Sequence, residues 1–556
     1  MTCLVGGDRA SARLARLFPL VLALTVACAS QEPSRRIGPR PVRQEVLSAF
    51  RLNEPMGTDE LAADAPAGTD PRPAPEDGPP LVGRPGPELL RPAEAQALSL
   101  EDVLLAVERQ FPLVLAAMEQ REMAAGKVLA AQGGFDTKLG AKGKFNVDGY
   151  YENDRFDIGL EQPTTLWGTV IEGGYRRGDG SFPIYEGKDK TNIGGELRLG
   201  ATVPLLQGGR IDARRVALWK ARLAEDQAGP QIEAKRIEAT RKAAESYWKW
   251  LAWGEKAAIA RGLLGLADDR QRQVRVSVDA GQMAEIALVD NERLMVDRST
   301  KLLAVEQGLA EAAIGLSLFW RDEEGGPLVP SAEWLPSGFP RPRPPSEVLV
   351  GNDIELALNR RPELRELDLE LERSRLDLDL AENSMLPNLD VGLFGSQDRG
   401  RAVNSPDNKD EFELQAVVRF SVPLQRRKPA GTRRRLEAKL VKMEQERRYL
   451  ADRVVTEVQS AVNAITATWS RLEQAARNVS LARQLEQAER TELSLGESDL
   501  LRVNLRESQT AVAASALVDI MSEHYLALAG YRAVLGLPYD EILAGEPVGG
   551  AEVQRR

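Results

Sequence analysis

Cysteine is almost missing from this chain: its 556 residues hold two, Cys3 and Cys28. Nothing beyond residue 28 can therefore form a disulfide framework or a cysteine-based metal site. Histidine is scarcer still. His524 stands alone, which removes His-dependent hydrolysis and a His-rich zinc site from consideration; its setting reads as a helix surface. Aromatic residues make up only 5%, while Ala, Leu, Arg and Glu abound, a balance suited to long helices packed through small residues. After the N-terminal segment there is no run of about 18 apolar residues, the length a spanning helix needs. No nucleophile–base pair, metal cluster or phosphate loop stands out, so the sequence reads as neither an enzyme nor a cofactor protein. A net charge of −10 argues against a nucleic-acid partner.

What is present begins with a segment of secretory character. Arg9, Arg13 and Arg16 precede the apolar stretch LFPLVLALTVA at 17–27, which is too short to span a membrane as a helix. It runs into Ala27-Cys28-Ala29-Ser30, which resembles a bacterial lipoprotein cleavage site, although Thr25 stands where Leu is usual. On that reading residues 1–27 are a signal peptide and Cys28 is the lipidated first residue. Residues 28–97 are rich in Pro, Gly, Asp and Arg and read as an extended arm.

From 98 onward the hydrophobic period changes in an ordered way. A helical pattern covers 98–132, with Pro112 expected to break or kink it. Between 139 and 206 the period becomes 2, with strand candidates at 139–151, 156–162, 166–176 and 193–205. A long helix follows over 209–278, with an interruption expected at Gly229-Pro230, and then a helix over 284–320. Residues 322–352 form a Pro-rich connector, and the sequence then restarts: a helix over 353–386, strands at 389–395 and 412–423, a long helix over 431–493 and a helix over 499–536. Residues 538–556 are a tail. The junctions Val203-Pro204-Leu205 and Val422-Pro423-Leu424 lie 219 residues apart, as do Trp250 and Trp469. The chain is a tandem repeat, 98–321 and 353–537.

Geometry narrows the fold class. A helix of about 60 residues is roughly 90 Å long, and the steps of four and three from Val454 through Ile465 to Val479 are those of a coiled-coil seam. Two short helices end to end match one long one; 284–320 is expected below 353–386, and 499–536 below 98–132. Strands 139–151, 193–205 and 412–422 have the length and apolar–polar alternation of membrane-spanning strands. An open sheet in lipid has unpaired edges, so the chain is expected to oligomerise to close a barrel. The fold class is thus an α+β membrane protein with long helices and an antiparallel transmembrane β-barrel completed between copies. Trp248, Trp250 and Trp253 are read as packing between the helical columns.

In this order the elements resemble the TolC-like outer-membrane efflux family. The likeness is carried by Pro112 and Arg361-Pro362-Glu363-Leu364, the two Val-Pro-Leu exits, and the turns at Gly281 and Gly496. It implies a homotrimer in the outer membrane of a Gram-negative-type bacterium, with a helical barrel reaching into the periplasm. It further implies a passive duct for substrates brought by an inner-membrane pump, of RND or ABC type, through a periplasmic adaptor. The same fold serves as the outer component of type I protein secretion, and a secreted coiled-coil protein without a channel is the remaining alternative. The family usually has two strands per half, and the first half here has four candidates; the added pair would widen the barrel or form an accessory hairpin. By the resemblance the periplasmic tip comprises Gly281, Gly496, Glu497, Asp499 and Arg502. Asp499 lies nearest a constricting aspartate, and Arg502 stands where a second might be. The alternative is that Ser498 and Asp499 cap the last helix.

Overall fold

The computed structural model describes residues 97–345, 350–401 and 409–537. The signal segment, Cys28, the arm up to residue 96 and the tail 538–556 lie outside the described residues.

The first helical run is two helices, α1 (Leu100–Gln110) and α2 (Pro112–Gln132), separated at Phe111. Ser99 starts α1 with a capping box shared with Asp102, and Pro112 opens α2, where its missing N–H costs nothing. Four strands follow, β1 (Lys138–Asn146), β2 (Asn153–Pro163), β3 (Val170–Gly180) and β4 (Glu196–Pro204). Then come the 67-residue α3 (Ala213–Asp279) and α4 (Ile286–Ser317). The second half repeats the scheme with α5 (Val350–Arg360), α6 (Pro362–Asn383), β5 (Asn388–Asp398), β6 (Glu413–Ser421), the 69-residue α7 (Arg427–Leu495) and α8 (Leu500–Val534).

Four expectations are corrected. The strand expected over 139–151 ends at Asn146, because the chain turns there and Gly149 adopts a φ of 137°. The helix expected over 353–386 breaks at Arg361, where Pro362 disfavours helical geometry in the residue before it. Pro230, by contrast, does not interrupt α3; helix on both sides and packing against α2 and α6 carry the rod through it. The other ends differ by a few residues, α7 starting at Arg427 rather than 431.

The fourth correction concerns stacking, which is the reverse of that expected. The upper end of α4 meets the α1–α2 joint, where Phe319 stacks on Phe111 with ring centroids 5.3 Å apart. The end of α8 meets the α5–α6 joint: Arg361 Nη1 donates to Val534 O at 3.3 Å and Tyr531 Oη to Asp353 Oδ2 at 2.8 Å. Each repeat thus completes its own short column beside its own rod, since a helical hairpin returns the chain along the helix it has just left. The columns run α2/α4, α3, α6/α8, α7. Lys220 of α3 and Arg447 of α7 both reach carboxylates of α6, Asp377 and Asp368.

The core is densest at mid-height. Trp248, Trp250 and Leu251 of α3 are buried with Val103 and Val107 of α1 and Leu316 of α4. The connector wraps this level, Phe339 stacking on Trp248 at 5.8 Å. α8 is the one described helix long and apolar enough to cross a membrane by composition, and its Val503, Val518 and Ala529 are buried in the helical wall. His524 is buried there as well, not on the surface. Its Nδ1 lies 3.1 Å from Thr468 Oγ1 of α7, and the indole of Trp469 sits beside the ring.

All six strands form one antiparallel sheet in sequence order, β1-β2-β3-β4-β5-β6. The added pair β2–β3 is therefore part of the sheet and not an accessory hairpin. Register puts one apolar row across every strand: Leu139 opposite Leu160, Ile158 opposite Tyr175, Tyr175 opposite Leu197, Ala201 opposite Leu393, Val391 opposite Val418. The other face carries Lys142, Asp157, Arg176, Arg198, Asp390 and Arg419.

Burial holds the His524 imidazole below its ordinary pKa, so the neutral ring is the folded form. The unfolded chain then binds a proton that the folded chain does not, and stability falls as pH drops through the ordinary value. As the sole histidine, it makes this window specific. Thermal stability of the detergent-solubilised protein is expected to decline from about pH 7 to pH 5. The decline should be shallower in His524→Gln, and equal slopes would assign it elsewhere.

Candidate functional site

Two ends of the molecule carry features that packing alone does not require. At the end of the helices remote from the sheet, the two tip turns are built alike. α3 closes with Gly281 at φ 70°, where Gln282 N–H reaches Ser277 O at 2.8 Å; α7 closes with Gly496 at φ 82°, where Glu497 N–H reaches Glu492 O at 2.9 Å. This is the Schellman closure, and its left-handed residue favours glycine. Asp499 then starts α8: its Oδ1 accepts the backbone N–H of Arg502 at 2.8 Å. Glu497, Asp499 and Arg502 are all exposed. The structure thus brings Asp499 and Arg502 together through a backbone cap. The turn is braced by Glu489 of α7, which accepts from Ser498 Oγ at 2.5 Å and from Arg506 Nε at 3.3 Å. The Ser498 bond, with Arg506 beside it, holds the Glu489 carboxyl below the usual carboxylate range.

Sequence reasoning missed the group just above. Glu507 of α8 has a side chain with 0% exposure, and three arginines from three other helices meet it. Arg270 Nη2 of α3 lies 2.6 Å from its Oε1, Arg298 Nη2 of α4 is 3.1 Å from Oε2, and Arg490 Nη2 of α7 is 3.1 Å from Oε1. One carboxylate ties four helices together within a few turns of the tip. Burial alone would raise its pKa; the Arg270 and Arg298 bonds overcome this and hold it below the ordinary value. Arg298 is pulled down by the same burial and supported by Glu507. The signal in the sequence was a charge four residues after Val503, on the apolar stripe of α8.

At the other end the sheet's apolar row faces outward, uncovered: Leu139 is 69% exposed, Val418 67% and Phe420 62%. The outer strands β1 and β6 each have one unpaired edge. Exposed apolar residues also line α2 and α4 (Leu129, Val289, Val296, Leu303) and α7 (Val441, Leu481), the two open sides of the helical wall.

No protein-family model matches the chain, and no curated relative matches it significantly. Solved structures do. The open state of the MtrE outer membrane channel of Neisseria gonorrhoeae is 14% identical, with a TM-score of 0.56 over 79% of this chain and 89% of that one. The outer membrane protein VceC of Vibrio cholerae is 14% identical, with a TM-score of 0.54 over 79% of this chain and 96% of that one. The Campylobacter jejuni CmeC outer membrane channel is 11% identical, with a TM-score of 0.54 over 79% and 85%. The fold is that of the TolC-like outer-membrane channels. At these identities the likeness is one of fold.

Replacing Glu507 by Gln leaves the Arg298 guanidinium, which is buried, and that of Arg270, which is nearly so, without their carboxylate, while Arg490 is more exposed and keeps Glu486. This should cost about 3–5 kcal/mol of stability, read as a lower melting temperature in detergent, with Glu507→Asp less affected. The depressed carboxyl pKa adds a pH signature. Its contribution is complete above the ordinary Glu value of about 4.3 and is lost as pH falls through the lower folded value.

Proposed function

We propose that this chain is one copy of a homotrimeric outer-membrane channel of a tripartite efflux system. It passes substrates passively from an inner-membrane pump, of RND or ABC type, and a periplasmic adaptor. The observation that carries the membrane reading is the uncovered apolar row across six strands, set at one end of rods about 100 Å long. A soluble coiled-coil protein would fold that face against its own helices, whereas lipid accepts it. The sheet's edges then find their partners in neighbouring copies. The neighbours described as outer-membrane channels support the same assignment. The efflux role, the adaptor and the pump rest on the resemblance in the repeat and its turns, and lipidation of Cys28 would tether the arm to the same membrane.

At the tip, three copies would bring three Asp499 carboxylates around the axis, with Arg502 beside each, giving a constriction that favours cations. The exposed turns at Gly281 and Gly496 would be the adaptor's docking points.

Purified in detergent, the full chain should size as a trimer and give stepwise conductance in planar bilayers; a non-conducting monomer overturns the proposal. Asp499→Asn separates gate from cap, because Asn caps a helix as well as Asp does. Cation preference should weaken while helix content stays the same. Unchanged selectivity would leave Asp499 as a cap alone.

A further inference from the structure

The connection between β3 and β4, residues 181–195, lies at the end of the sheet remote from the helices, yet it does not extend away from the sheet. It folds back over the polar face. Arg155 of β2 reaches Asp189 with Nη1–Oδ2 at 2.6 Å, Arg176 of β3 approaches the same carboxylate at 3.7 Å, and Lys144 of β1 is 3.7 Å from Glu186. Lys144, Arg155 and Arg176 all belong to the polar face by register. The backbone lies close against the sheet: a Cβ on Gly178 would sit 1.9 Å from Asp189 O, and Thr191 N–H donates to Gly178 O at 3.0 Å. From the β5–β6 connection, Lys409 Nζ donates to Gly187 O at 3.0 Å and Lys190 O at 2.8 Å. At the base, Asn192 N–H donates to Asp398 Oδ2 at 2.9 Å. Ile184 and Tyr185, at the turn of the segment, are exposed.

We propose that residues 181–192 form an inward-folded constriction in the lumen of the barrel, with Ile184 and Tyr185 projecting into the permeation path. The inference rests on the channel reading above, because the apolar face must meet lipid for the polar face to enclose the lumen. Transmembrane barrels have polar interiors that inserted loops can narrow. Here the bracing is ionic and comes from the added pair: Arg155 and Arg176 sit on β2 and β3, and both also bind Asp157 at 2.7 Å. The hairpin that adds circumference thus also supplies the two arginines that hold the constriction. The channel would carry a restriction at each end, a charged one at the helical tip and an apolar, aromatic one near the outer mouth. The second would be felt by large or apolar cargo more than by small ions.

The test uses the full chain in planar bilayers, with Tyr185→Cys as the probe and Leu199→Cys on the apolar face as the control. Addition of a bulky, membrane-impermeant methanethiosulfonate should lower single-channel conductance in Tyr185→Cys and leave Leu199→Cys unchanged. Replacing residues 183–188 by a short Gly-Ser link should raise conductance above that of the unaltered chain. If the unaltered chain conducts, but modification at residue 185 and the shortened segment both leave conductance as it was, the constriction is overturned and the channel reading stands. If the unaltered chain does not conduct, both fall together.

Discussion

On the proposed channel reading the structure depends on one constraint: backbone amides and carbonyls in lipid must find partners, and a sheet with two free edges has not found them. β1 and β6 are both nine residues long and stand at opposite ends of a six-stranded sheet. Six is even, so β1 and β6 run in opposite directions. The β6 edge of one copy can therefore pair with the β1 edge of the next and continue the antiparallel pattern. The same incompleteness recurs below the sheet. The open sides of the helical wall, α2/α4 and α7, carry exposed apolar residues such as Leu129, Val296 and Leu481. Sheet and wall are unfinished at the same two sides, which is what a closed ring of identical copies requires.

Within one copy, order comes from a division between rods and columns. α3 and α7 run the full height; the opening helical run of each repeat is broken, at Phe111–Pro112 and at Arg361–Pro362, where α4 and α8 end against it. The first break lies in the aromatic core under the connector, and the second in a smaller aliphatic cluster of Ala357, Leu364, Val454, Val458 and Leu535. Nearer the tip no comparable apolar cluster forms among the described residues, and Glu507 serves there instead. A buried carboxylate facing three arginines is a poor source of net stability but a stringent geometric requirement, since each guanidinium must arrive from its own helix. It fixes the relative register of α3, α4, α7 and α8.

The repeat, the rods and the alternation of the strands were legible in the sequence because each is a periodicity, and periodicity survives without tertiary knowledge. The turns at Gly281 and Gly496 were legible because a left-handed helix end asks for glycine. The stacking of the short columns was not, because length matching alone leaves two pairings equally good, and contacts such as Phe111–Phe319 decide between them. His524 and Glu507 were misread or missed for a shared reason: a polar residue on an apolar stripe looks like surface until its partner, Thr468 or Arg270, arrives from a distant part of the chain. Pro230 failed as a helix breaker because local propensity yields to packing on both sides of a rod.

The added hairpin also resolves a question of size. Strands lie about 4.8 Å apart and tilt by about 40° in such barrels, so four strands span about 25 Å of circumference and six about 38 Å. Four helical columns at 9–10 Å span about 36–40 Å. With four strands per copy the barrel must taper sharply from the helical wall; with six, sheet and wall have nearly the same perimeter and the helices enter the strands without a step. The insertion had to be even in number, since a single extra strand would send α3 out of the wrong end of the sheet. Its turn, at 164–169, therefore lies at the helical end, where Trp167 and Gly168 pack against Gly208 and Gly209 at the start of α3. On the proposed channel reading, a barrel widened in this way would have a wider lumen, with room for the segment that folds over the polar face.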